Sequence, residues 1–256
     1  MADLLYKSAE KEIQKKKRDI KARCDVCHDK KLFCDDCDAE FLFYSAALKA
    51  NLPRGKVDIV YKQKQHDVLV AEYSFQTGKL LTGGKKLYAE IVEPYIKNSG
   101  TVITTGMSYL WLGSNGTGKT IAATKIAVEF LKKRHSVYYI TFPQLHILQS
   151  GTWRDEEKAE LLQIIQKVDL LIVDELVKET SDTESVRYLA DTWIKFREEN
   201  LYPTILITNA GTLQLSGKTR GKNYGQSFWS MLGENYWAFV FGGEDLRVKS
   251  RRDWPL

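Results

Sequence analysis

Residues 113–120 read Gly113-Ser114-Asn115-Gly116-Thr117-Gly118-Lys119-Thr120 and fit the pattern Gly-x4-Gly-Lys-[Ser/Thr] at every fixed position. Glycines let a backbone curl round an anion and aim its N–H groups at it. A helix that starts at the lysine adds the positive end of its dipole. Lys119 stands where such a lysine reaches the β- and γ-phosphates of a nucleoside triphosphate, and Thr120 where a hydroxyl ligates Mg2+. These eight residues are candidate ligands for ATP and Mg2+.

A second constellation is acidic. The unbroken apolar run Leu170-Leu171-Ile172-Val173 ends in Asp174-Glu175. Such a run suits a strand buried on both faces, and the C-terminal tips of such strands are where α/β sheets hold ligands. Asp174 is placed to hold Mg2+ through water, and Glu175 to polarise a water attacking the γ-phosphate. Paired acids at a strand end can also be mere solvated capping, but the phosphate loop upstream favours the functional reading. A later run, Pro203-Thr204-Ile205-Leu206-Ile207-Thr208, ends in Asn209. A water held between Glu175 and Asn209 suits NTP hydrolysis, and a small-molecule kinase would not need Glu175 for that purpose.

The third constellation is metal-like. All four cysteines fall in one short stretch, as Cys24-x2-Cys27 and Cys34-x2-Cys37. Two such pairs let four thiolates converge on one tetrahedral Zn2+. The spacer between the pairs is shorter than usual, which implies a tight hairpin, and His28 could replace one sulfur. Free thiols are the bland alternative, and a disulfide framework suits a reducing cytosol poorly. Cys24-Asp-Val-Cys27-His28 also matches a c-type haem attachment pattern. That chemistry needs an exported chain and leaves the second pair idle.

These groups need elements to position them. Tyr109–Leu112 predicts a strand before the phosphate loop, and Ile121–Arg134 a helix after it. Val137–Thr141 and residues 236–241 predict further strands, and 155–167 and 183–198 further helices. Alternation of this kind predicts an α/β fold with a central parallel sheet covered on both faces. Ahead of it, residues 3–22 predict a basic helix with a thin apolar line (Leu5, Ile13, Ile20), and residues 38–50 a second helix. Asn51-Leu52-Pro53-Arg54-Gly55 breaks the chain. The expected organisation is a docking module over 1–50 and an ATPase domain over 51–256, the latter divided into a linker, 51–105, and a core, 106–256. Within the linker, VDIVY and VLVAEYSF look β-prone, and 84–98 look helical, with Pro94 expected to kink or end the helix.

With 256 residues, 43% apolar and 28% charged, the chain is neither fibrous nor disordered. No apolar stretch approaches the ~20 residues of a membrane span. The charged N-terminus lacks the apolar core of a signal peptide, so a cytoplasmic location is expected. The net charge of +5 is mildly basic. Basic residues cluster at 15–23, at Lys218, Arg220 and Lys222, and at 247–252. Such runs are solvated faces as often as nucleic-acid contacts.

Residues 106–120, GMSYLWLGSNGTGKT, together with LLIVDE and PTILITN, resemble the AAA+ ATPases of the DnaC/DnaI helicase-loader group, which also includes the IstB-type transposition helpers. The likeness covers about residues 50–256. A cysteine-rich module ahead of the ATPase is similar to the DnaI side. The resemblance implies a P-loop NTPase domain without a separate lid. It implies ATP hydrolysis, slow without partners, and self-association through the ATPase domain. It also implies that the N-terminal module grips a replicative hexameric helicase while the ATPase domain binds single-stranded DNA, in a bacterial or phage setting. By position, Lys119 and Thr120 match the phosphate-loop residues, Asp174 and Glu175 the metal-binding and catalytic acids, and Asn209 the water-orienting sensor. Arg247 falls near a second, γ-phosphate-sensing arginine. Lys218, Arg220 and Lys222 become candidate DNA contacts.

One departure stands out. AAA+ rings complete each site with a neighbour's arginine, and Met231, in Ser230-Met231-Leu232, stands where the family places it. No arginine lies between Arg220 and Arg247. The resemblance therefore implies slow intrinsic turnover, with Arg220 as the substitute.

Overall fold

The computed structural model describes residues 2–27, 32–62, 68–150, 155–176, 190–209 and 226–247. Among these residues seven strands form one sheet: β1 (Leu69–Ser74), β2 (Lys79–Leu87), β3 (Ser108–Leu112), β4 (Val137–Thr141), β5 (Leu170–Leu176), β6 (Thr204–Thr208) and β7 (Tyr236–Gly242), in the order β2-β1-β7-β3-β6-β5-β4. The strands from β7 to β4 pair in parallel. β1 pairs antiparallel with both β7 and β2, so the sheet is mixed and extends beyond the expected parallel core.

Successive strand residues point to opposite faces, and both faces are covered. Tyr109, Trp111, Ile172, Ile205, Ile207 and Phe239 enter one core. The helices on that side are α2 (Asp35–Lys49), α3 (Arg54–Tyr61), α4 (Tyr88–Lys97), α5 (Ser99–Thr105) and α6 (Lys119–Lys132). Leu110, Leu112, Leu171, Val173, Leu206 and Ala238 enter the other core. It is closed by α7 (Phe142–Ser150), α8 (Asp155–Lys167), the π-helical turn Ala190–Ile194 and α10 (Gln226–Asn235), with α9 (Lys195–Glu199) following the π turn. This double burial explains why the central runs carry no polar break.

Arg197, fully buried, secures the end opposite the loops. It donates to the carbonyls of Ile165, Gln166, Val168 and Pro203 and to Thr204 Oγ1, at 2.9–3.0 Å. The carbonyls left open at the end of α8 are thereby satisfied. Burial lowers the guanidinium pKa to about 10.

The linker region differs most from expectation. VDIVY lies in helix α3, not a strand, and Val57 is buried from it into the core. VLVAEYSF does supply β1. The expected helix over 84–98 begins only at Tyr88, because residues up to Leu87 belong to β2. Pro94 lies inside α4 without ending it; Asn98 N–H still donates to the Pro94 carbonyl at 2.9 Å. Only 190–198 of the helix expected over 183–198 is described.

At the N-terminus, α1 (Ala2–Ala22) buries Ile13 and Ile20. Ile20, Cys27 and Cys37 form a small separate core with Phe33 and Phe41 against it. α2 belongs to both cores: Cys37 lies in the small one and Tyr44 and Ala47 in the large one. Its end is fixed to β4, the edge strand of the described sheet. Tyr139 N–H donates to the Ala50 carbonyl at 2.9 Å, and Asn51 Nδ2 donates to the Tyr139 carbonyl at 2.8 Å. Asn51 takes a left-handed turn, φ 58°, at this junction. The end of α2 thus covers backbone groups that an edge strand leaves open.

Candidate nucleotide site and metal centre

Residues 113–118 connect β3 to α6 at the C-terminal end of the sheet. Gly113, Gly116 and Gly118 all have positive φ, of 134°, 81° and 92°. Conformation favours glycine at each, at Gly113 backbone leaves no space for a side chain, and at Gly116 a neighbouring side chain fills that space. A Cβ on Gly113 would lie 2.2 Å from the Phe241 carbonyl oxygen, and one on Gly116 would lie 1.9 Å from Asp245 Oδ1. The segment after β7 is therefore folded onto the loop, and Leu246 N–H donates to the Gly116 carbonyl at 3.0 Å.

Lys119 is buried at the head of α6. Its Nζ donates to the Gly113 and Ser114 carbonyls at 2.7 and 2.8 Å and approaches Thr117 Oγ1 at 3.4 Å. Burial lowers its pKa to about 8; nearby Asp174 opposes that shift and Arg247 adds to it.

The acidic strand meets the loop through Thr120, whose hydroxyl donates to Asp174 Oδ2 at 2.7 Å. Tyr139 Oη donates to the same oxygen at 2.8 Å, and Glu175 N–H donates to Asp174 Oδ1 at 2.7 Å. Glu175 sits at φ +57°, where the β5–β6 register shifts between Val173 and Leu176. A bulge of this kind re-aims a side chain at a strand end. Asn209 follows β6 and is exposed. Because β6 lies between β3 and β5, the loop, Asn209 and the acidic pair all stand at one edge of the sheet. Such a set can hold phosphates with its cation and backbone, and a divalent ion with its hydroxyl and carboxylate.

A cleft of about 1110 Å³ opens beside Gly118, walled by Phe43, Tyr61, Val68, Tyr88 and Ile121.

The four cysteines converge as their spacing implies. Their sulfurs all lie within 4.8 Å of one another, with Cys24 Sγ and Cys34 Sγ 3.7 Å apart. A tetrahedron with Zn–S bonds of ~2.3 Å has edges of about 3.8 Å, so the residues present fit that ion. Backbone N–H bonds from Val26 and Cys27 lower the Cys24 thiol to about 7, while burial pushes Cys37 well up. His28, the alternative ligand, lies outside the described residues.

The family model described as IstB-like ATP binding protein matches residues 66–210, more than half of the chain. The chain belongs to the IstB-like ATP-binding family. The replicative helicase loader DnaC of Escherichia coli (strain K12) is 27% identical over 146 residues, covering 54% of this chain and 59% of DnaC. The chain thus matches under two thirds of that relative's length. Among solved structures, a crystal structure of the DnaC helicase loader is 22% identical, covers 59% of this chain and 86% of its own, and has a TM-score of 0.49. A crystal structure of DnaI is 21% identical over 68% of this chain and 90% of its own, with a TM-score of 0.46. A DNA replication initiation factor is 14% identical over 71% of this chain and 53% of its own, with a TM-score of 0.50, a likeness of fold.

Within this IstB-like chain, the structure brings Gly113–Thr120 and Asp174 into direct contact and sets Glu175 beside them. Arg247 is more than half exposed and paired with Asp245, its Nη2 donating to Oδ2 at 2.9 Å. Met231 is half-buried against the second core. Lys218, Arg220 and Lys222 lie outside the described residues. Two features escaped sequence reasoning. Asp245 and Leu246 reach the loop only through the fold of the segment after β7. Tyr139 shares the α6-facing side of the sheet with Ile172 and Asp174, which strand parity shows once β4 and β5 are known to be neighbours. Among the described residues no helix is long and apolar enough to cross a membrane.

Proposed function

We propose that the chain is an ATPase that loads a replicative hexameric helicase onto single-stranded DNA. The carrying observation is the meeting of Lys119, Thr120 and Asp174 at one sheet edge, with Glu175 next in the chain on a bulge.

In this reading Lys119 leaves the loop carbonyls for the β- and γ-phosphates, and the positive-φ glycines keep the backbone close to the anion. Thr120 and Asp174 hold Mg2+, which supplies charge neutralisation on the phosphates. Glu175 takes the proton of the attacking water, and Asn209 orients that water. The base lies in the cleft between Tyr88, Ile121 and α2. Arg247 reaches the γ-phosphate when it exchanges Asp245 for nucleotide. The cysteine module binds Zn2+ and docks the helicase, and the ATPase domain contacts DNA through Lys218, Arg220 and Lys222 and associates with further copies of itself. The similarity to DnaC supports the helicase partner; the matched IstB-type family supports a second reading, a transposition helper bound to a transposase and duplex DNA.

The deciding experiment presents the purified chain, with ATP, to a replicative helicase and to a transposase, and measures helicase delivery to single-stranded DNA. Binding to the transposase alone overturns the loader. Nucleotide binding without turnover, even with helicase and DNA, reduces the chain to a nucleotide-binding adaptor.

A further inference from the structure

Asp174 is buried, and a buried carboxylate needs hydrogen-bond donors to satisfy and orient it. Its donors come from three directions: Thr120 from α6, Glu175 N–H from its own strand, and Tyr139 Oη from β4. Thr120 and Tyr139 share Oδ2. The Thr120 oxygen is itself a proposed Mg2+ ligand, so its geometry must serve the ion. Tyr139 has no such second duty. Its phenol donates to the Asp174 carboxylate at 2.8 Å and serves no other ligand.

The ring is held as firmly as the hydroxyl. Tyr139 packs in the main core, and both its backbone groups are bonded to the end of α2, to Ala50 and through Asn51. Asp174 is thereby oriented by a group whose own position is set by two elements outside the phosphate loop.

We propose that Tyr139 is a positioning residue for the Mg2+ site, acting by holding the Asp174 carboxylate in the orientation that receives the ion. The inference rests on the proposed reading of Asp174 as a holder of Mg2+. A hydrogen bond to a charged group of this kind corresponds to about a tenfold effect when its donor is deleted without a cavity.

The experiment measures binding of a fluorescent ATP analogue to the full chain, in EDTA and across a MgCl2 titration. Wild type, Tyr139→Phe and Asp174→Asn are compared. The phenylalanine keeps the ring and its packing. The expected result is that Tyr139→Phe binds the analogue in EDTA as wild type does but needs about tenfold more MgCl2 for the same gain in affinity. Equal MgCl2 dependence in wild type and Tyr139→Phe, with the gain lost in Asp174→Asn, overturns this inference alone. A gain that survives Asp174→Asn overturns the Mg2+ reading of Asp174 and the inference with it. Weaker binding of Tyr139→Phe in EDTA, with an unaltered MgCl2 midpoint, makes the hydroxyl merely structural and also overturns it.

Discussion

Thr120 donates its hydroxyl to Asp174 Oδ2 at 2.7 Å, joining the first turn of α6 to the tip of β5. The two strands that lead to these residues, β3 and β5, are not neighbours; β6 lies between them. The contact therefore depends on α6 crossing over the sheet, and on the parity that turns Ile172 and Asp174 toward it. A carboxylate and a hydroxyl so joined leave little to rearrange when a divalent ion arrives, which is the economy of a preorganised site.

Lys119 should make nucleotide affinity depend on pH. Its pKa in the free protein is lowered to about 8 from 10.5, chiefly by burial. Phosphate favours the charged form and raises it again. Below pH 8 the lysine is already protonated and affinity should be flat. Above pH 8 binding must take up a proton, so affinity should fall by up to about tenfold per pH unit until the bound-state value is reached. Titrations of an ATP analogue from pH 6.5 to 9.5 check this, and Lys119→Ala should bind weakly at every pH.

Glu175 holds a conformation that costs a non-glycine residue roughly 1–2 kcal/mol. Two substitutions separate the backbone from the carboxylate. Glu175→Gln should bind ATP and fail to turn it over, because an amide cannot take the proton. Glu175→Gly should be equally inactive yet more stable, by up to about 1 kcal/mol, which for a chain of this size is about 2–4 °C in melting temperature. A glycine variant that melts lower than wild type would place the value of Glu175 in its contacts and not in its chemistry.

Gly113 and Gly116 should respond differently to alanine. At Gly113 the new methyl meets the Phe241 carbonyl, a backbone atom of a central strand, so Gly113→Ala should cost roughly 3 kcal/mol. At Gly116 it meets the Asp245 carboxylate, which a side-chain movement can clear. Gly116→Ala should therefore melt closer to wild type while releasing the segment after β7 from the loop. Melting curves and limited proteolysis at residues 243–247 check the pair.

Metal removal should have a boundary within α2. Structural zinc supplies about 10–16 kcal/mol of folding free energy in small modules. Purified, reduced protein should carry one zinc per chain. Chelation should release the small core of Ile20, Cys27 and Cys37, while Tyr44 and Ala47 stay packed in the large one. Hydrogen exchange should therefore quicken through residue 37 and remain slow at 44–50. Uniform loss of protection through residue 50 would show that α2 belongs wholly to the module.

The parts that were legible before the structure share a cause. The phosphate loop, the acidic strand end and the paired cysteines are short motifs whose spacing carries their chemistry, and residues 109–112, 137–141, 170–173 and 203–208 read as strands because double burial favours apolar runs. The linker was opaque for the opposite reason. VDIVY has β-branched residues and a strand-like pattern, yet tertiary packing makes it α3, since Val57 needs a partner in the core beside α6. β2, with Gly83 and Gly84 inside it, carries no strand signature, and its last residues read as the start of the following helix. Asp245 against Gly116, and Tyr139 against Asp174, are contacts across long sequence separations that no local pattern encodes.

The last prediction concerns the missing arginine. Met231 occupies the place at which the AAA+ resemblance sets a residue reaching a neighbouring subunit, but its side chain packs against the second core, next to fully buried Leu232. Met231→Arg would have to draw a charge out of apolar surroundings. It should destabilise the chain by about 1–3 kcal/mol and leave turnover unchanged, even with helicase and DNA present. Ser230, one residue earlier and exposed, should accept arginine with little change in melting temperature. An arginine finger contributes ~10³–10⁵ in rate, so wild-type turnover should be slow alone, and stimulation by partner and DNA should be lost in Arg220→Ala. ATPase rates for wild type, Arg220→Ala, Ser230→Arg and Met231→Arg, each alone and with helicase and DNA, decide the matter. Acceleration by Met231→Arg would mean that the α10 surface turns outward on assembly, and a fast wild type unaffected by Arg220→Ala would place the completing cation on another segment.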